Sequence, residues 1–499
     1  MITVAQTNAR DPSRIRRGEG SMPVRRSAAV DEAGAPSARR PSSRRLQLAP
    51  LLCGMLLATA GCSERSRLPD QADVGTQPTL VAPHKTLLPT VDIAPAVGWP
   101  AGQVPQAAEG LQVTALATDL QHPRWLHVLP NGDVLVAESN APERPARGNS
   151  VRGWVMKKVQ QRAGAGVPSA DRITLLRDAD GDGRAELRTV FLEDLKSPFG
   201  MALVGDRFYV ANTDAVVEYP YSAGQTRIDV PGRRLADLPA GDLNHHWTKA
   251  LIASPDGQRL FATVGSNSNV AENGIAAEDG RAAIWEIDRA TGNKRLFATG
   301  LRNPNGMAWM PAAGSDAPTL WTVVNERDEL GSDLVPDYLT SVRDGGFYGW
   351  PYSWYGRHVD ERVQPPRPDL VTQAIVPEYA LGSHVAPLGL AASAHSPLPA
   401  RLSPSAALAA SASAGASASQ GVFVGLHGSW NRRPLSGYKV IYVHFAGGKP
   451  QGLPIDVLTG FVSPDGDAWG RPAGVAVDRA GALLVADDVG NVVWRVSPR

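Results

Sequence analysis

One short pattern occurs six times along this 499-residue chain, at intervals of roughly 50 to 90 residues: two apolar strands joined by a turn that often contains glycine. Strands that recur in such pairs are typical of a β-propeller, in which each repeat contributes one blade of a ring. Six copies therefore predict an all-β fold, a six-bladed β-propeller. The loops at one end of the ring are then the expected place for a functional site. The copies begin at Pro123, Pro198, Lys249, Asn303, Ala386 and Pro472.

The alternation of apolar and polar residues sets the limits of the predicted propeller. It begins at Leu111 and continues to Val496, which predicts a propeller over 111–499 whose last strand closes the ring in the blade that starts near Leu111. Residues 62–110 are rich in Pro, Ala and Gln, and we interpret them as a tether and approach segment. Residues 391–420 are nearly all Ala, Ser and Pro, so we expect a mobile surface insertion there.

The N-terminal residues 1–61 have the organisation of an export signal. Arginine pairs are followed by an apolar stretch, 46–57, that is too short to span a bilayer, and small residues then precede Cys62. This order resembles a bacterial lipoprotein signal with Cys62 as the lipidated residue; an ordinary export signal is the alternative. We therefore expect a periplasmic or outer-membrane-anchored lipoprotein that contacts the membrane through its lipid alone. Cys53 and Cys62 are the two cysteines of the chain, so the mature protein would form no internal disulfide.

The charge balance argues against a nucleic-acid partner. Fifty Lys and Arg residues face 49 Asp and Glu residues, which gives a formal net charge of +1. No basic stripe with interleaved aromatic residues is present to bind a phosphate backbone. The sequence therefore directs attention to small-molecule ligands.

An acidic loop in the first repeat has the side chains of a calcium site. Carboxylates at alternate positions around a glycine-containing turn can converge on one hard cation. The position that carries the last Glu of a full EF-hand is Thr189 here, so the pattern is closer to a shorter calcium loop between strands. A solvated hairpin turn is the alternative. The predicted ligands are Asp178, Asp180, Asp182 and Glu186.

Further polar side chains stand just before or just after the predicted blade strands. Histidine suits proton abstraction near neutral pH, and arginine offers a forked donor for carboxylates. Each residue alone is explained as well by a turn or a solvated charge. Because equivalent positions of successive blades converge around one axis, the set predicts a site for a polyanionic ligand together with a cation. The residues are His245, His246, Lys249, Arg302, Asn303, Arg327, Asp328, Asp333, His427, Arg432 and Arg471.

The segment 345–356 is dense in aromatic residues and glycines. Aromatic faces beside a closely approaching backbone suit a planar cofactor or a sugar ring. Packing between blades is an equally good explanation for about half of them. We therefore leave the role of this segment open.

Four segments resemble the soluble pyrroloquinoline quinone (PQQ)-dependent glucose/sorbosone dehydrogenase family, above all its sorbosone-dehydrogenase-like branch. They are GLRNPNGMAW from Gly300, NERDELGSD from Asn325, DGGFYGWPYSWYG from Asp344 and LHGSWNR from Leu426. The resemblance extends from Leu111 to Val496. It implies a six-bladed propeller, PQQ and Ca²⁺ as cofactors, and a histidine that takes a proton from the sugar.

The resemblance also implies roles for individual residues. His246 would be the base; an alignment shifted by one residue would give this role to His245 instead. Arg302, Asn303 and Arg471 would bind the cofactor. Backbone carbonyls of Arg327 and Asp328 would hold Ca²⁺, with Asp333 nearby.

Two departures from the family pattern affect the predicted site. The glucose-oxidising branch places a lysine on the cofactor after the fifth blade, where this chain has His427 and, five residues on, Arg432. In the loop after the fourth repeat this chain has Glu326-Arg327-Asp328, where the family has a sequence that contains Gly-Pro. Either change could alter quinone binding or substrate choice.

The function expected from the sequence is oxidation of an aldose or a sorbosone-type sugar aldehyde by PQQ. A respiratory acceptor, either a quinone or a separate cytochrome, would take the electrons, because the chain has no Cys-x-x-Cys-His motif for haem. A Ca²⁺-dependent lactonase is one alternative, and a non-catalytic propeller that binds a sugar or a protein is another.

Overall fold

The computed structural model of the protein describes residues 64–84, 90–143, 161–164, 166–312, 314–402 and 420–499. The predicted export region, Cys53 and the predicted lipidation site Cys62 lie outside the described residues. In chain order the strands are β1 (Val74–Gly75), β2 (Gln106–Ala107), β3 (Leu111–Ala117), β4 (Pro123–Val128), β5 (Val134–Glu138), β6 (Arg172–Arg177), β7 (Leu187–Leu192), β8 (Met201–Val204), β9 (Arg207–Ala211), β10 (Ala215–Pro220), β11 (Arg233–Asp237), β12 (Leu251–Ala253), β13 (Arg259–Val264), β14 (Ala283–Asp288), β15 (Lys294–Thr299), β16 (Asn303–Ala312), β17 (Ser315–Asn325), β18 (Pro336–Ser341), β19 (Gly346–Phe347), β20 (Ser353–Trp354), β21 (His358–Val359), β22 (Tyr379–Ser383), β23 (Pro387–Ala392), β24 (Gly421–Leu426), β25 (Lys439–Ala446), β26 (Lys449–Thr459), β27 (Pro472–Val477), β28 (Leu483–Asp487) and β29 (Val492–Pro498).

Helices are few in the described part of the chain. They are a 3₁₀ helix (Ile275–Glu278), α1 (Pro368–Gln373) and α2 (Leu398–Leu402). Among the residues described, we find no helix long and apolar enough to cross a membrane.

The strands form six sheets of four or five strands, which are the six blades, and one separate hairpin of β20 and β21. Blade one is β4–β7 and blade two is β8–β11; blade three is β12–β15 with β19. Blade four is β16–β18 with β22 and β1, and blade five is β23–β26 with β2. Blade six is β27–β29 with β3. The prediction of a six-bladed β-propeller is confirmed.

The N-terminal and C-terminal strands close the ring. β3 pairs antiparallel with β29, from Leu111 opposite Pro498 to Ala117 opposite Val493. Blade six is therefore completed by strands from opposite ends of the protein, as the sequence predicted.

The six innermost strands, β4, β8, β12, β16, β23 and β27, each contact the next around the ring, and β27 contacts β4. Glycine is required at several of these contacts. A Cβ on Gly306 would lie 2.5 Å from the backbone N of Leu390, and one on Gly389 would lie 2.5 Å from the carbonyl O of Ala473. The glycines of the repeated pattern therefore allow neighbouring blades to pack closely.

The hydrophobic core lies between the faces of adjacent blades. Trp321 and Val323 of blade four pack with Val424 and Ile441 of blade five, and all four side chains are almost completely buried. Similar clusters join blades two and three, five and six, and six and one. The alternating pattern of each strand thus serves two blade interfaces, one on each face.

The segment predicted as a tether is largely bound to the ring where it is described. β1 extends blade four by pairing with β22, and β2 extends blade five by pairing with β26. Polar contacts also hold its first residues, because the backbone N of Arg67 donates to Asp333 over 2.7 Å.

The predicted mobile insertion begins later than residue 391. Ala391 and Ala392 finish β23, and α2 follows with Leu398 completely buried in the core between blades five and six. Leu398 thus fixes the start of this segment to the core, which its overall Ala, Ser and Pro composition did not predict. Residues 403–419 of the predicted insertion lie outside the described residues.

Candidate functional site

A cavity of about 340 Å³ lies at the end of the ring where the innermost strands begin. Its walls come from loops that enter blades three to six and from loops that follow the second strands of blades four and five. The segment before β2 contributes Ile93 to the rim. The lining residues are Ile93, Ala163, His245, His246, Arg302, Asn303, Asn325, Glu326, Asp328, Asp337, His384, Ala386, His427, Gly428, Trp430, Asn431 and Arg471.

Arg302 is held rigidly in the cavity wall at the entrance to blade four. It is 3% exposed, and all five of its N–H groups have acceptors. Nε donates to the carbonyl of Asn269, and Nη1 donates to the carbonyls of Asn325 and Glu326. Nη2 donates to Oδ1 of Asn269 over 3.1 Å and to Oδ2 of Asp328 over 2.8 Å. The guanidinium edge is thus fully used, and only its planar face remains for a ligand.

Asp328 is the anionic partner of this arginine. Burial alone would raise the pKa of its carboxyl, but Arg302, His384 and Asn431 together hold the pKa well below its usual range. Asn431 donates to Oδ1 over 2.8 Å, and His384 Nδ1 lies 3.7 Å from the same oxygen. Burial would likewise lower the pKa of His384, but Asp328 raises it above the ordinary value. These charges compensate one another inside the wall.

His246 presents one basic nitrogen to the cavity. Its Nδ1 lies 2.8 Å from the carbonyl oxygen of Ser266, which can only accept, so Nδ1 carries the proton and Nε2 is left with a lone pair. Burial, followed by the charges of His245 and Arg302, lowers its pKa well below 6.5. The ring is therefore neutral at pH 7 and able to accept a proton.

Gly265 makes room for this histidine. A Cβ there would lie 2.5 Å from the Cβ of His246 and 2.3 Å from Oδ1 of Asn303. His245 lies at the rim, exposed, with its ring 4.7 Å from that of His246 in an edge-to-face contact. Both predicted bases thus border the cavity, and His246 is the deeper one.

Several buried polar atoms of the wall have no hydrogen-bond partner within the described part of the chain. Among them are Oδ1 of Asn303, Oδ1 of Asn431, Oε1 of Glu326 and Nε of Arg471. Arg471, at the entrance to blade six, donates from Nη2 to the hydroxyl of Tyr438 and lies over its ring. Unsatisfied buried groups are costly, so their concentration here indicates a ligand-binding surface.

Two carboxyls of the wall have pKa values raised to near neutral pH. Burial raises the pKa of Glu326 to about 7 and that of Asp337 to about 7. Asp337 accepts the backbone N–H groups of Glu326 and Ala386, and Glu326 accepts that of Arg327. Neither carboxyl contacts a cationic side chain at hydrogen-bond distance within the described residues.

His427 of the cavity wall contacts a carboxylate behind it that was not predicted from the sequence. His427 Nε2 lies 2.8 Å from Oδ2 of Asp488, which follows β28. The same oxygen accepts from Arg124 of β4, and His122 Nε2 lies 3.6 Å away. Blades one, five and six meet at this carboxylate.

Lys249 does not belong to the cavity wall, contrary to its predicted role in cofactor binding. It is completely buried, and its Nζ donates to the carbonyls of Trp247 and His246. Burial lowers its pKa well below 10.5. The sequence placed it correctly near His246, but the strand turns its side chain into the ring.

Arg432 and Asp333 hold the N-terminal segment, which differs from their predicted roles. Arg432 donates to the carbonyl of Ser332 and to the hydroxyl of Ser66, and Asp333 accepts from the hydroxyl of Ser66 and the backbone N of Arg67. Neither residue lines the cavity. Their partners come from a segment that the sequence analysis read as a tether.

The contacts of the Asp328 carbonyl do not favour the predicted backbone calcium site at 327–328. The carbonyl of Asp328 already accepts from Nε and Nη2 of Arg327 and from Nδ2 of Asn269. Arg327 is buried and paired with Asp360. A carbonyl that accepts from a guanidinium is a poor ligand for Ca²⁺.

The four acidic residues of the first repeat do come together. One carboxylate oxygen from each of Asp178, Asp180, Asp182 and Glu186 lies within 4.8 Å of the others. The loop follows β6, which runs in the same direction as β4, so it lies at the end of blade one opposite the cavity. The backbone N of Ala185 donates to Leu116 of β3, which ties the loop to blade six.

The aromatic segment 345–356 lines a second cavity of about 520 Å³ beside blade three. Phe347, Trp350 and Tyr352 form one wall of it. Trp350 also donates its indole N–H to the carbonyl of Asn269, the residue that holds Arg302. The segment therefore helps to hold the loop of Asn269, which in turn fixes Arg302 in the wall of the first cavity.

The residues missed by sequence reasoning occupy positions equivalent to those it found. His122 and His384 stand at the entrances to blades one and five, as His246 does for blade three. Asp488 follows the second strand of blade six, as His427 does in blade five. A search for polar residues just before the first strand and just after the second strand of all six repeats would have identified them.

Comparisons with known proteins agree with this architecture. A family model described as TrAA12-like matches residues 371–499, and a model described as a domain of unknown function (DUF7133) matches residues 107–328. A Borreliella burgdorferi protein named "Uncharacterized protein" is 22% identical over 312 residues, which cover 60% of this chain and 76% of that protein.

Solved structures share the fold at low identity. The holo PQQ domain of a pyranose dehydrogenase from Coprinopsis cinerea has a TM-score of 0.60 at 19% identity, covering 81% of this chain and 100% of that one. The calcium structure of a Trichoderma reesei AA12 enzyme has a TM-score of 0.61 at 18% identity, covering 82% and 99%. A soluble aldose sugar dehydrogenase from Escherichia coli has a TM-score of 0.50 at 16% identity, covering 78% and 100%. This chain shares their propeller fold.

We expect Glu326→Gln to stabilise the cofactor-free protein above neutral pH and to change little in acid. The folded-state pKa of about 7 exceeds the ordinary 4.5, so ionisation costs the folded state free energy that increases between these pH values and then levels off. The expected gain is on the order of 3 kcal/mol at pH 8. Urea unfolding of both proteins near pH 4.5 and pH 8 measures it. An equal gain at both pH values would contradict the raised pKa.

Proposed function

We propose that this protein is a PQQ-dependent oxidoreductase that oxidises an aldose or a sorbosone-type sugar aldehyde. The observation that carries the proposal is one cavity that joins a neutral, proton-accepting His246 to two buried arginines, Arg302 and Arg471. The shared fold with a pyranose dehydrogenase PQQ domain and an aldose sugar dehydrogenase supports the same class.

The cavity residues fit a flat tricarboxylate. Arg471 has an unpartnered Nε and would bind a carboxylate, while the amide of Asn303 would bind beside it through its free Oδ1 or, after rotation, its NH₂. Arg302 would offer the cofactor the planar face of its guanidinium, because its N–H groups are all engaged. This differs from the carboxylate contact expected of Arg302 from the sequence. When bound, PQQ would supply the acceptor for the substrate's hydride.

The residues of this chain would perform the proton chemistry. His246 would take the hydroxyl proton on Nε2, since Nδ1 is held by the Ser266 carbonyl and the ring is neutral. Gly265 leaves room for His246 and for the amide of Asn303 beside it. His245 would act at the rim, where it is exposed.

Calcium has two different places in this proposal. The loop of Asp178, Asp180, Asp182 and Glu186 offers oxygen ligands that suit a structural Ca²⁺ away from the cavity. In the cavity a cation would need side-chain oxygens, of which Oε1 of Glu326 has no partner in the described residues. A lactonase would need several free acidic ligands gathered at the axis. Of the carboxyls in the cavity wall, Asp328 is already paired with Arg302, and the four-residue acidic cluster found in the described residues is at the other end of the ring.

Titration of PQQ into protein 63–499 tests the cofactor class. We expect saturation near one equivalent by absorbance, tighter with Ca²⁺ than with chelator. Arg471→Gln should weaken binding roughly 10–100-fold, because a charge-assisted hydrogen bond is lost. Arg233→Gln, at an exposed ion pair of blade two, is the matched control and should bind as the wild type does. Absence of saturable binding by the wild type would mean that only the scaffold is shared.

His246→Asn should lower turnover by roughly 10²–10⁴-fold, the usual contribution of a general base, and change PQQ binding little. Sugar-dependent reduction of an artificial dye measures turnover, and the absorbance titration measures binding. His444→Asn on β25 is the control for the substitution itself. If His245→Asn abolishes turnover and His246→Asn does not, the base is His245.

We propose further that the protein is exported and lipidated at Cys62, and that a membrane quinone or a separate cytochrome takes its electrons. Glu64, two residues on, accepts the backbone N of Ser332 in the loop after β17, at the cavity end of the ring. An anchor at Cys62 would hold this end towards the membrane.

Growth with radiolabelled palmitate tests the lipid anchor. We expect label in the membrane fraction for the full chain and no label for Cys62→Ser. An unlabelled wild-type protein in the periplasmic fraction would show an ordinary export signal.

A further inference from the structure

The carboxylate of Asp488 is surrounded by nitrogen groups from three blades. It is 3% exposed, and its Oδ2 contacts Nε2 of His427 at 2.8 Å and Nη1 of Arg124. His122 Nε2 is 3.6 Å from the same oxygen, while Oδ1 has no partner in the described residues. Burial would raise the pKa of Asp488, but these neighbours hold it well below the usual range. Asp488 is therefore ionised.

An ionised Asp488 determines which nitrogen of His427 carries a proton. Two lone pairs cannot face each other at 2.8 Å, so Nε2 of His427 must donate to the carboxylate. Burial, with the charges of Arg124 and Arg471, outweighs Asp488 and lowers the pKa of His427 below 6.5. A neutral His427 thus has its lone pair on Nδ1. The other titratable neighbour, His122, has a pKa of about 4 and is neutral as well.

The cavity consequently contains two neutral imidazoles with opposite tautomers. His246 is protonated on Nδ1 by its contact with a carbonyl, and His427 on Nε2 by its contact with Asp488. Both line the same cavity. One would be enough to accept a single hydroxyl proton.

We propose that His427 is a second proton acceptor of this cavity and that Asp488 is the residue that positions it. The inference rests on the proposed oxidoreductase function. Conversion of CH–OH to C=O releases two electrons and two protons. PQQ, when bound, would supply the acceptor for the hydride, which carries both electrons and one of the protons, and the electrons would then pass to the external acceptor. His246 takes the hydroxyl proton, and His427 takes the proton released when the reduced quinone is reoxidised.

Histidine tautomers in the cofactor-free protein test the first part. Long-range ¹H–¹⁵N spectra of protein 63–499 labelled at histidine should show a neutral ring with protonated Nε2 at pH 7, assigned by its loss in His427→Gln. The double variant Arg124→Gln/Asp488→Asn removes both buried charges together and should produce a mixture of tautomers. A His427 that is protonated on Nδ1, that is charged at pH 7, or that is unchanged in the double variant would overturn the positioning role.

The two half-reactions of the PQQ-loaded enzyme test the second part. In His427→Gln, reoxidation of the bound quinone by a dye should slow about tenfold or more relative to its reduction by sugar. His444→Gln on β25 is the control. Unaffected reoxidation, or equal slowing of both halves, would overturn the role of His427. Failure of wild-type protein to bind PQQ would instead remove the proposed function and leave the tautomer result standing.

Discussion

The close approach of the innermost strands is the constraint on which the rest of the structure depends. At four of the six contacts a Cβ would lie within 3 Å of the neighbouring strand's backbone, at Gly200, Gly306, Gly389 and Gly474. A ring this tight makes the entrance of every blade converge on one small space. Polar residues at those entrances then face one another although they are far apart in the chain. The cavity is a consequence of how the ring closes.

This constraint explains how much could be predicted from the sequence. The repeated pattern identifies both the innermost strand of each blade and the position of its entrance. The number of blades, the closing pair of β3 and β29, and the location of His246, Arg302, Asn303, His427 and Arg471 at the cavity follow from it. In each case the inference needed only the place of a residue relative to a strand.

The site predictions that differ from the structure concern the direction of a side chain or the identity of its partner. Lys249 precedes β12 as His246 does, but its ammonium turns inward to backbone carbonyls. Arg432 and Asp333 are engaged by Ser66, more than 260 residues away in the chain for Asp333. Asp328 keeps a predicted place at the cavity, yet its carbonyl is occupied by the guanidinium of Arg327. No local pattern encodes such long-range contacts.

The two ends of the cavity reach a neutral base by different physical means. The tautomer of His246 is fixed by a backbone carbonyl, and burial, with the charges of His245 and Arg302, lowers its pKa more than the hydrogen bond to that carbonyl raises it. His427 contacts a carboxylate, which alone would favour the imidazolium, but burial, with the smaller contributions of Arg124 and Arg471, outweighs the carboxylate and lowers the pKa of the ring. Arg124 in turn lies about 6 Å from the ring centres of Phe199 and Trp247, and Trp247 adjoins His246. One cation of blade one thus lies beside the carboxylate that holds His427 and beside the residue that follows His246 in the chain.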